Sequence, residues 1–185
     1  MAMTPSSMLP LGTPAPDFDL IEPLTGKHLR LADVRGELAT VVMFICNHCP
    51  YVKHVNAELI RLANDYRGRG VGFAAICSND ADRYPDDAPP LMAEAARQLG
   101  YPFPYLHDDT QQVARAYQAA CTPDFFVFDE GCRCAYRGQL DESRPSNGKP
   151  VTGAALRAAL EALLAGRPVN ANQVPSIGCN IKWRS

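Results

Sequence analysis

LATVVMFICNHCP, residues 38–50, joins an apolar run to a polar tetrapeptide that carries two cysteines. The run Leu38–Ile45 is typical of a strand that is covered on both faces of a sheet. Beyond Pro50 the apolar spacing becomes helical, with hydrophobic side chains at Val52, Val55, Leu59, Leu62 and Tyr66. The sequence therefore predicts that Cys46-Asn47-His48-Cys49 lies where a buried strand meets the start of a helix.

Strand and helix patterns alternate along the rest of the chain. Strands are predicted over Asp17–Ile21, His28–Leu31, Val71–Cys77, Asp124–Phe128 and Arg133–Leu140. Helical spacing recurs in residues 91–99, 113–120 and 156–163. This order predicts an α/β fold, with a central mixed sheet flanked by helices, in a single domain spanning residues 1–185. In this interpretation residues 1–16 form an irregular arm, and residues 168–185 form a tail without strong periodicity.

Composition sets the broad class of protein. The 185 residues suffice for one hydrophobic core, and 46% of them are hydrophobic. A net charge of −2 gives no basic surface for nucleic acid or for an anionic membrane. The first residues, MAMTPSSMLPLGTP, lack the segments of a secretory signal, and no apolar run is long enough to span a membrane. We therefore expect a cytoplasmic protein whose seven cysteines are mostly reduced.

The two cysteines of the tetrapeptide are the candidate catalytic residues. The start of a helix carries partial positive charge and unpaired N–H groups, which stabilise a thiolate. Because only Asn47 and His48 intervene, the sulfurs can meet, so that one attacks a disulfide and the other resolves the intermediate. We expect Cys46 to be the more exposed, attacking thiol, with positive charge from His48 beside it. We expect Cys49 to lie one turn into the helix and to resolve, with Pro50 in the first helical turn.

A zinc site is the main alternative chemistry for these residues. Cys46, His48, Cys49 and His54 are all zinc-competent ligands. They crowd into one helix start, where four ligands converge poorly on a tetrahedral ion, and the chain has no second Cys-x-x-Cys motif. We therefore expect no metal and no cofactor, with electrons supplied by another dithiol protein.

The chain contains six characteristic segments. They are LGTPAPDFDL (11–20), FICNHCPYVKH (44–54), SNDADRYPDDAP (78–89), CTPDFFVFD (121–129), YRGQLDESRP (136–145) and PSIGCNIKW (175–183). Through them the chain resembles the thioredoxin superfamily, and more narrowly its peroxiredoxin-like, AhpC/TSA-related bacterial branch. The resemblance spans almost the whole chain and implies a thioredoxin-like fold with an N-terminal β-hairpin extension.

The resemblance also implies roles near the cysteine pair. Pro123 would be a cis-proline opposite the pair, and the backbone of Thr122 would pair with a bound substrate chain. Peroxiredoxins place their reactive cysteine in a P-x-x-x-T-x-x-C motif, and aligning Cys49 there puts Val42 at the proline and Cys46 at the threonine. A second thiol thus replaces the hydroxyl that polarises a peroxide, which favours dithiol exchange over efficient peroxide reduction.

Two further features lie outside the pair. Cys179 is a possible third redox thiol if the tail folds over the site. A packed structural cysteine that anchors the tail is the favoured interpretation, because buried free cysteines commonly act as small hydrophobic residues. An acidic loop, interpreted as solvated and helix-capping, contains Asp80, Asp82, Asp86 and Asp87.

We therefore expect a thiol–disulfide oxidoreductase that exchanges disulfides through Cys46 and Cys49. Its partners would be a protein or small-molecule disulfide or dithiol, with peroxide as an alternative substrate. A peroxiredoxin-like antioxidant peroxidase is one alternative function. A non-catalytic redox switch or partner-binding module is another.

Overall fold

The computed structural model describes residues 3–184. Its strands are β1 (Met3–Pro5), β2 (Asp19–Glu22), β3 (Lys27–Arg30), β4 (Ala39–Phe44), β5 (Val71–Cys77), β6 (Tyr105–His107), β7 (Cys121–Thr122), β8 (Asp124–Asp129), β9 (Cys134–Gly138) and β10 (Ile177–Asn180). Its helices are α1 (Leu31–Val34), α2 (Pro50–Tyr66), α3 (Pro89–Leu99), α4 (Gln112–Ala116) and α5 (Ala154–Leu164). Among residues 3–184, no helix is long and apolar enough to cross a membrane.

Seven strands form the central sheet, in the order β3-β2-β6-β5-β4-β8-β9. Strands β4, β5 and β6 run parallel to one another. The hairpin β2-β3 joins β6 antiparallel at one side, and β8 and β9 join β4 antiparallel at the other. The predicted mixed sheet and N-terminal hairpin are therefore confirmed.

Strand β4 lies inside this sheet, and all six of its residues are buried. Val41 and Met43 face one apolar cluster, which also contains residues of α2, α3 and α5. Val42 and Phe44 face a second cluster, which contains residues of α1 and α4. Alternate residues of a strand point to opposite faces, so a strand covered on both faces needs an unbroken apolar run. This packing fixes the end of β4, from which the cysteine loop departs.

The two ends of the chain form a second, three-stranded sheet in the order β1-β10-β7. The interpretation of residues 1–16 as an irregular arm is wrong for Met3–Pro5, which pairs antiparallel with Ile177–Asn180. The tail 168–185 likewise contains this second strand, β10. These strands are short: β1 has no buried residue and β10 has only two, Gly178 and Cys179, so neither leaves a periodic signal in the sequence. Residues 1, 2 and 185 of these segments lie outside the described residues.

Strand β10 lies so close to β7 that position 178 requires glycine. A Cβ added at Gly178 would lie 2.0 Å from the carbonyl oxygen of Thr122. The peptide bond Thr122–Pro123, which follows β7 directly, is cis, as the resemblance implied. The tail strand therefore lies beside the segment that was expected to face the cysteine pair.

Candidate active site

The cysteine pair lies between the end of β4 at Phe44 and the start of α2 at Pro50, as predicted. Cys49 is the N-cap residue of α2 and Cys46 precedes the helix, so the prediction that Cys49 lies one turn into the helix is wrong. The reason is Pro50, which occupies the first helical position and favours an extended backbone at the residue before it. Cys49 forms no side-chain cap hydrogen bond with the first turn of α2.

Both sulfur atoms are enclosed by protein. Cys46 is 2% exposed and Cys49 is 0% exposed, so the greater exposure expected for Cys46 amounts to this small difference. Thr122 contacts both residues: its Oγ1 lies 3.5 Å from the Cys46 sulfur, and its carbonyl oxygen lies 3.2 Å from the Cys49 sulfur. Thr122 and Pro123 thus lie at the site, as the resemblance implied, with Thr122 in direct contact.

The two thiols share a hydrogen bond that moves their pKa values in opposite directions. The hydrogen bond from Cys46 holds the pKa of Cys49 well below its usual range, and Thr122 and Cys179 reinforce the effect. The same hydrogen bond, burial and the negative charge of Asp87 raise the pKa of Cys46 well above its usual range. These directions favour a pair that shares one proton, held toward Cys46, and one negative charge, held toward Cys49.

Thr122 also suits the opposite arrangement, with the proton on Cys49 and the negative charge on Cys46. Its carbonyl oxygen accepts a hydrogen bond from the Cys49 thiol only when Cys49 is protonated. The hydroxyl of Thr122 lowers the pKa of Cys46 and can donate to a thiolate there. Both sulfurs keep a hydrogen-bond partner when the proton moves from Cys46 to Cys49.

Asp87 anchors the loop between the two cysteines. Its side chain is 0% exposed, and Oδ1 accepts the backbone N–H groups of Asn47 at 2.8 Å and His48 at 3.3 Å. Oδ2 lies 2.6 Å from His48 Nδ1 and accepts from Asn79 Nδ2 at 2.7 Å. The interpretation of the acidic loop as solvated is wrong for Asp87 and for Asp80, which are both buried. A short 3-10 turn, Pro85–Asp87, carries the Asp87 carboxylate to N–H groups that the loop leaves unpaired.

The side chain of Asn47 holds the loop from its other side. Its Nδ2 donates to the carbonyl oxygen of Asp86 at 2.8 Å, and its Oδ1 accepts from the Tyr105 hydroxyl at 3.1 Å. Burial raises the pKa of Tyr105 well above its usual range, so the hydroxyl stays a donor. Asn47 is therefore a positioning residue for the cysteine loop.

His48 is held between a carboxylate and an aromatic ring. The hydrogen bond to Asp87 raises the pKa of His48, and the imidazole stacks on Tyr84 at 5.6 Å between ring centroids. Its Nδ1 lies 4.0 Å from the Cys46 sulfur. The raised pKa favours the positive charge that the sequence predicted beside Cys46, and the Asp87 carboxylate lies directly against it.

One group of side chains among residues 3–184 could offer several ligands to a metal ion. Cys46, His48 and Asp87 place their ligand atoms within 4.8 Å of one another. The zinc set considered from the sequence also needs His54, whose Nε2 instead lies 2.8 Å from the hydroxyl of Ser143. A metal ion would also have to break the 2.6 Å contact between His48 and Asp87.

Cys179 reaches the site from the tail strand. Its Cα lies opposite that of Thr122 in the β10–β7 pairing, and its thiol hydrogen-bonds to Cys49. Cys179 is 2% exposed, and burial raises the pKa of its thiol to about 12. Cys121, on the neighbouring strand, instead donates to the carbonyl oxygen of Pro123. The structure therefore brings three thiols together, with Cys49 between the other two.

The His48–Asp87 pair predicts a pH dependence of stability. The pKa of His48 is raised on folding, so its contribution is complete below the unfolded pKa of about 6.5 and is lost as pH rises through the folded pKa. The pKa of Asp87 is lowered, so its contribution is complete above about 3.9 and is lost as pH falls through the folded pKa. We expect urea unfolding to show a larger loss of stability for His48→Gln at about pH 5.5 than at about pH 9. A loss that stays constant or grows toward high pH would contradict the ion pair.

Comparisons with known proteins place these features in a family. The AhpC/TSA family model matches residues 11–137. An uncharacterized conserved protein from Geobacillus kaustophilus is similar at 61% identity, covering 100% of this chain and 97% of its own, with a TM-score of 0.98. A hypothetical protein from Sinorhizobium meliloti 1021 is similar at 48% identity, covering 98% of this chain and 99% of its own, with a TM-score of 0.96. No curated protein matches the chain.

A more distant structure shares the fold. A thiol:disulfide interchange protein of the thioredoxin family from Chlorobium tepidum TLS is 19% identical, covering 83% of this chain and 97% of its own, with a TM-score of 0.63. The family match includes the cysteine loop, Asp87 and the Thr122–Pro123 bond, whereas the tail strand lies beyond it. The fold is thioredoxin-like, and the chain belongs to the AhpC/TSA family.

Proposed function

We propose that this protein is a thiol–disulfide oxidoreductase that exchanges disulfides through Cys46 and Cys49. The observation that carries the proposal is the pair of buried sulfurs at the start of α2, which both contact Thr122 and share a hydrogen bond that moves their pKa values in opposite directions. A pair that holds one proton and one negative charge suits a reaction in which each sulfur acts in turn as nucleophile. The family supports redox chemistry in general.

The exchange begins with a proton transfer inside the pair. Cys46 passes its proton to Cys49, whose thiol then donates to the Thr122 carbonyl oxygen. The Cys46 thiolate attacks one sulfur of the substrate disulfide, forms a mixed disulfide and expels the other substrate sulfur as a thiolate. That thiolate takes the proton from Cys49, and the Cys49 thiolate then attacks Cys46. The second substrate thiolate leaves and is protonated by solvent.

Because both cysteines are buried, the shape of the surface beside them limits which disulfides can reach the sulfurs. A shallow surface groove is lined by residues that include Tyr51, His54, Pro123 and Ile177. The groove includes Pro123, next to Thr122, which contacts both sulfurs, so we propose that a narrow disulfide approaches the pair beside the cis-proline. The proposed partners are therefore a small-molecule or extended protein disulfide as oxidant and another dithiol protein as reductant, in the cytoplasm.

Assays with two substrate classes test the proposal. Wild type should catalyse the reduction of insulin disulfides by a dithiol, and Cys46→Ser should fall to the rate without protein, because the attacking thiol is gone. Cys121→Ser is the matched control, since Cys121 is also buried but bonds to Pro123 instead. Consumption of hydrogen peroxide that survives Cys46→Ser but not Cys49→Ser would replace the proposal with peroxidase activity. Inactivity in both assays, with a partner bound in only one redox state, would favour the redox switch.

A further inference from the structure

The tail strand is a fixed part of the site. Ser6 donates its backbone N–H to Ser176 at 2.8 Å, and Ile181 donates to the carbonyl oxygen of Ala120 at 3.1 Å. The carbonyl oxygen of Lys182 accepts hydrogen bonds from the backbone N–H of Asp80 at 2.9 Å and from Nε2 of Gln111 at 2.8 Å. These bonds flank β10 at both ends, so its cysteine is held at the site by the backbone.

Strand β10 pairs with β7, the strand that contains Thr122, which contacts both cysteines. The resemblance implied that the backbone of Thr122 pairs with a substrate chain, and in this structure that strand pairs with the tail. Cys179 lies directly opposite Thr122, and its thiol hydrogen-bonds to Cys49. The absence of a side chain at Gly178 permits this approach. Cys179 therefore lies beside Cys49 in the position that a cysteine of a bound substrate chain would occupy.

The geometry points to Cys179 as a third redox thiol that exchanges with the Cys46–Cys49 disulfide and forms an alternative Cys49–Cys179 disulfide. This inference rests on the proposed function, because the oxidised pair supplies the disulfide that Cys179 attacks. Cys49 is the common partner since its sulfur contacts both of the others. The tail would then store the oxidising equivalent while Cys46 returns to a thiol.

The exchange step needs no further oxidant. The Cys179 thiol loses its proton, and its sulfur attacks Cys49, forming the Cys49–Cys179 bond and breaking the Cys46–Cys49 bond. Cys46 leaves as a thiolate and takes up the proton. Two electrons remain removed from the three sulfurs throughout. The pKa of Cys179, raised by burial, keeps its thiol protonated at rest, so the step depends on this coupled transfer.

Peptide mapping of the full chain tests the inference. Cys46 and Cys49 share the tryptic peptide 36–53, whereas Cys179 lies in the peptide 158–182. Cys46→Ser treated with the thiol oxidant diamide should give these two peptides linked through Cys49 and Cys179. The free thiols of the denatured chain should fall from six to four. Gly178→Ala added to this variant should lower the yield of the link, because the new methyl group displaces β10 from Thr122.

Three results would overturn the inference. The first is a folded Cys46→Ser chain, checked by circular dichroism, in which oxidation leaves Cys179 fully available to alkylation. The second is a link from Cys49 to Cys121 in place of Cys179. The third is oxidised wild type that contains the Cys46–Cys49 bond and no trace of the Cys49–Cys179 bond at equilibrium. Failure of the proposed function is distinct, since oxidised wild type would then contain no Cys46–Cys49 bond.

Discussion

Cys49→Ser should trap substrate on Cys46 and lower disulfide-exchange turnover by about a thousandfold or more. Well-placed intramolecular groups react with effective molarities that reach about 10⁵–10⁸ M, whereas an external thiol resolves a mixed disulfide at millimolar concentration. The serine hydroxyl still accepts and donates hydrogen bonds near Thr122 but cannot attack a disulfide at neutral pH. The first step would therefore proceed and the second would stall.

Mass spectrometry of the intact chain after incubation with a small disulfide checks this prediction. We expect one adduct, on Cys46, in Cys49→Ser and no adduct in Cys46→Ser/Cys49→Ser. Cys121→Ser, a buried thiol that bonds to Pro123, should behave as wild type. An adduct that forms on Cys49 in Cys46→Ser, together with no adduct on Cys46 in Cys49→Ser, would reverse the assigned roles and make Cys49 the attacking thiol.

Asp87→Ala should lower the free energy of unfolding by about 3–5 kcal/mol, the usual cost of removing one partner from a buried ion pair. The carboxylate accepts four hydrogen bonds, and its loss leaves the N–H groups of Asn47 and His48 unpaired. Asp87→Asn should also destabilise the protein despite its similar shape. When its amide oxygen accepts from the loop N–H groups, its NH₂ group faces the donor of Asn79.

Thermal unfolding of the Asp87 variants, compared with a variant of the neighbouring Asp86, checks this second prediction. A loss of this size corresponds to a fall in Tm on the order of 10 °C for a chain of this length. Asp86→Asn is the matched control because Asp86 is exposed and contacts the loop only through its backbone carbonyl. Asp87→Asn should also let Cys46 react with iodoacetamide at lower pH, since the charge of Asp87 raises the pKa of that thiol. Equal Tm values for Asp87→Asn and Asp86→Asn would contradict an anchoring role.

The strand–helix junction could be predicted because its signals are local. The apolar run through β4 requires burial on both faces, and Pro50 fits only the first turn of the helix that follows. These two facts bring Cys46 and Cys49 to the end of a strand without knowledge of any distant contact. The cis form of the Thr122–Pro123 bond came from the resemblance, since spacing alone does not distinguish it.

The anchoring role of Asp87 could not be predicted, because it depends on a contact across 40 positions of the chain. Buried backbone N–H groups need a hydrogen-bond acceptor, so an acceptor for the loop between the cysteines was expected. Any of the four aspartates in the acidic loop could have been that acceptor. The turn Pro85–Asp87, which the sequence does not reveal, places Asp87 and not the others against the cysteine loop. A search for buried acceptors opposite a Cys-x-x-Cys loop would have narrowed the choice to this loop.

The strands at the two ends of the chain could not be predicted for a different reason. β1 and β10 are three and four residues long, and their pairing with each other and with β7 leaves no periodic pattern. The informative signal was Gly178 beside Cys179, since a glycine next to a reactive residue permits a close approach of two backbones. That signal gains meaning only when the partner strand is known.

The most direct test of the account is a redox titration of wild type, followed through the tryptic peptide 36–53. The full chain is equilibrated with mixtures of reduced and oxidised dithiothreitol, quenched in acid, alkylated and digested. We predict that this peptide loses two hydrogen atoms to an internal Cys46–Cys49 disulfide, in a two-electron transition of about 30 mV per tenfold change in the ratio. A peptide that keeps Cys46 as a thiol across the whole range would contradict thiol–disulfide exchange at this pair.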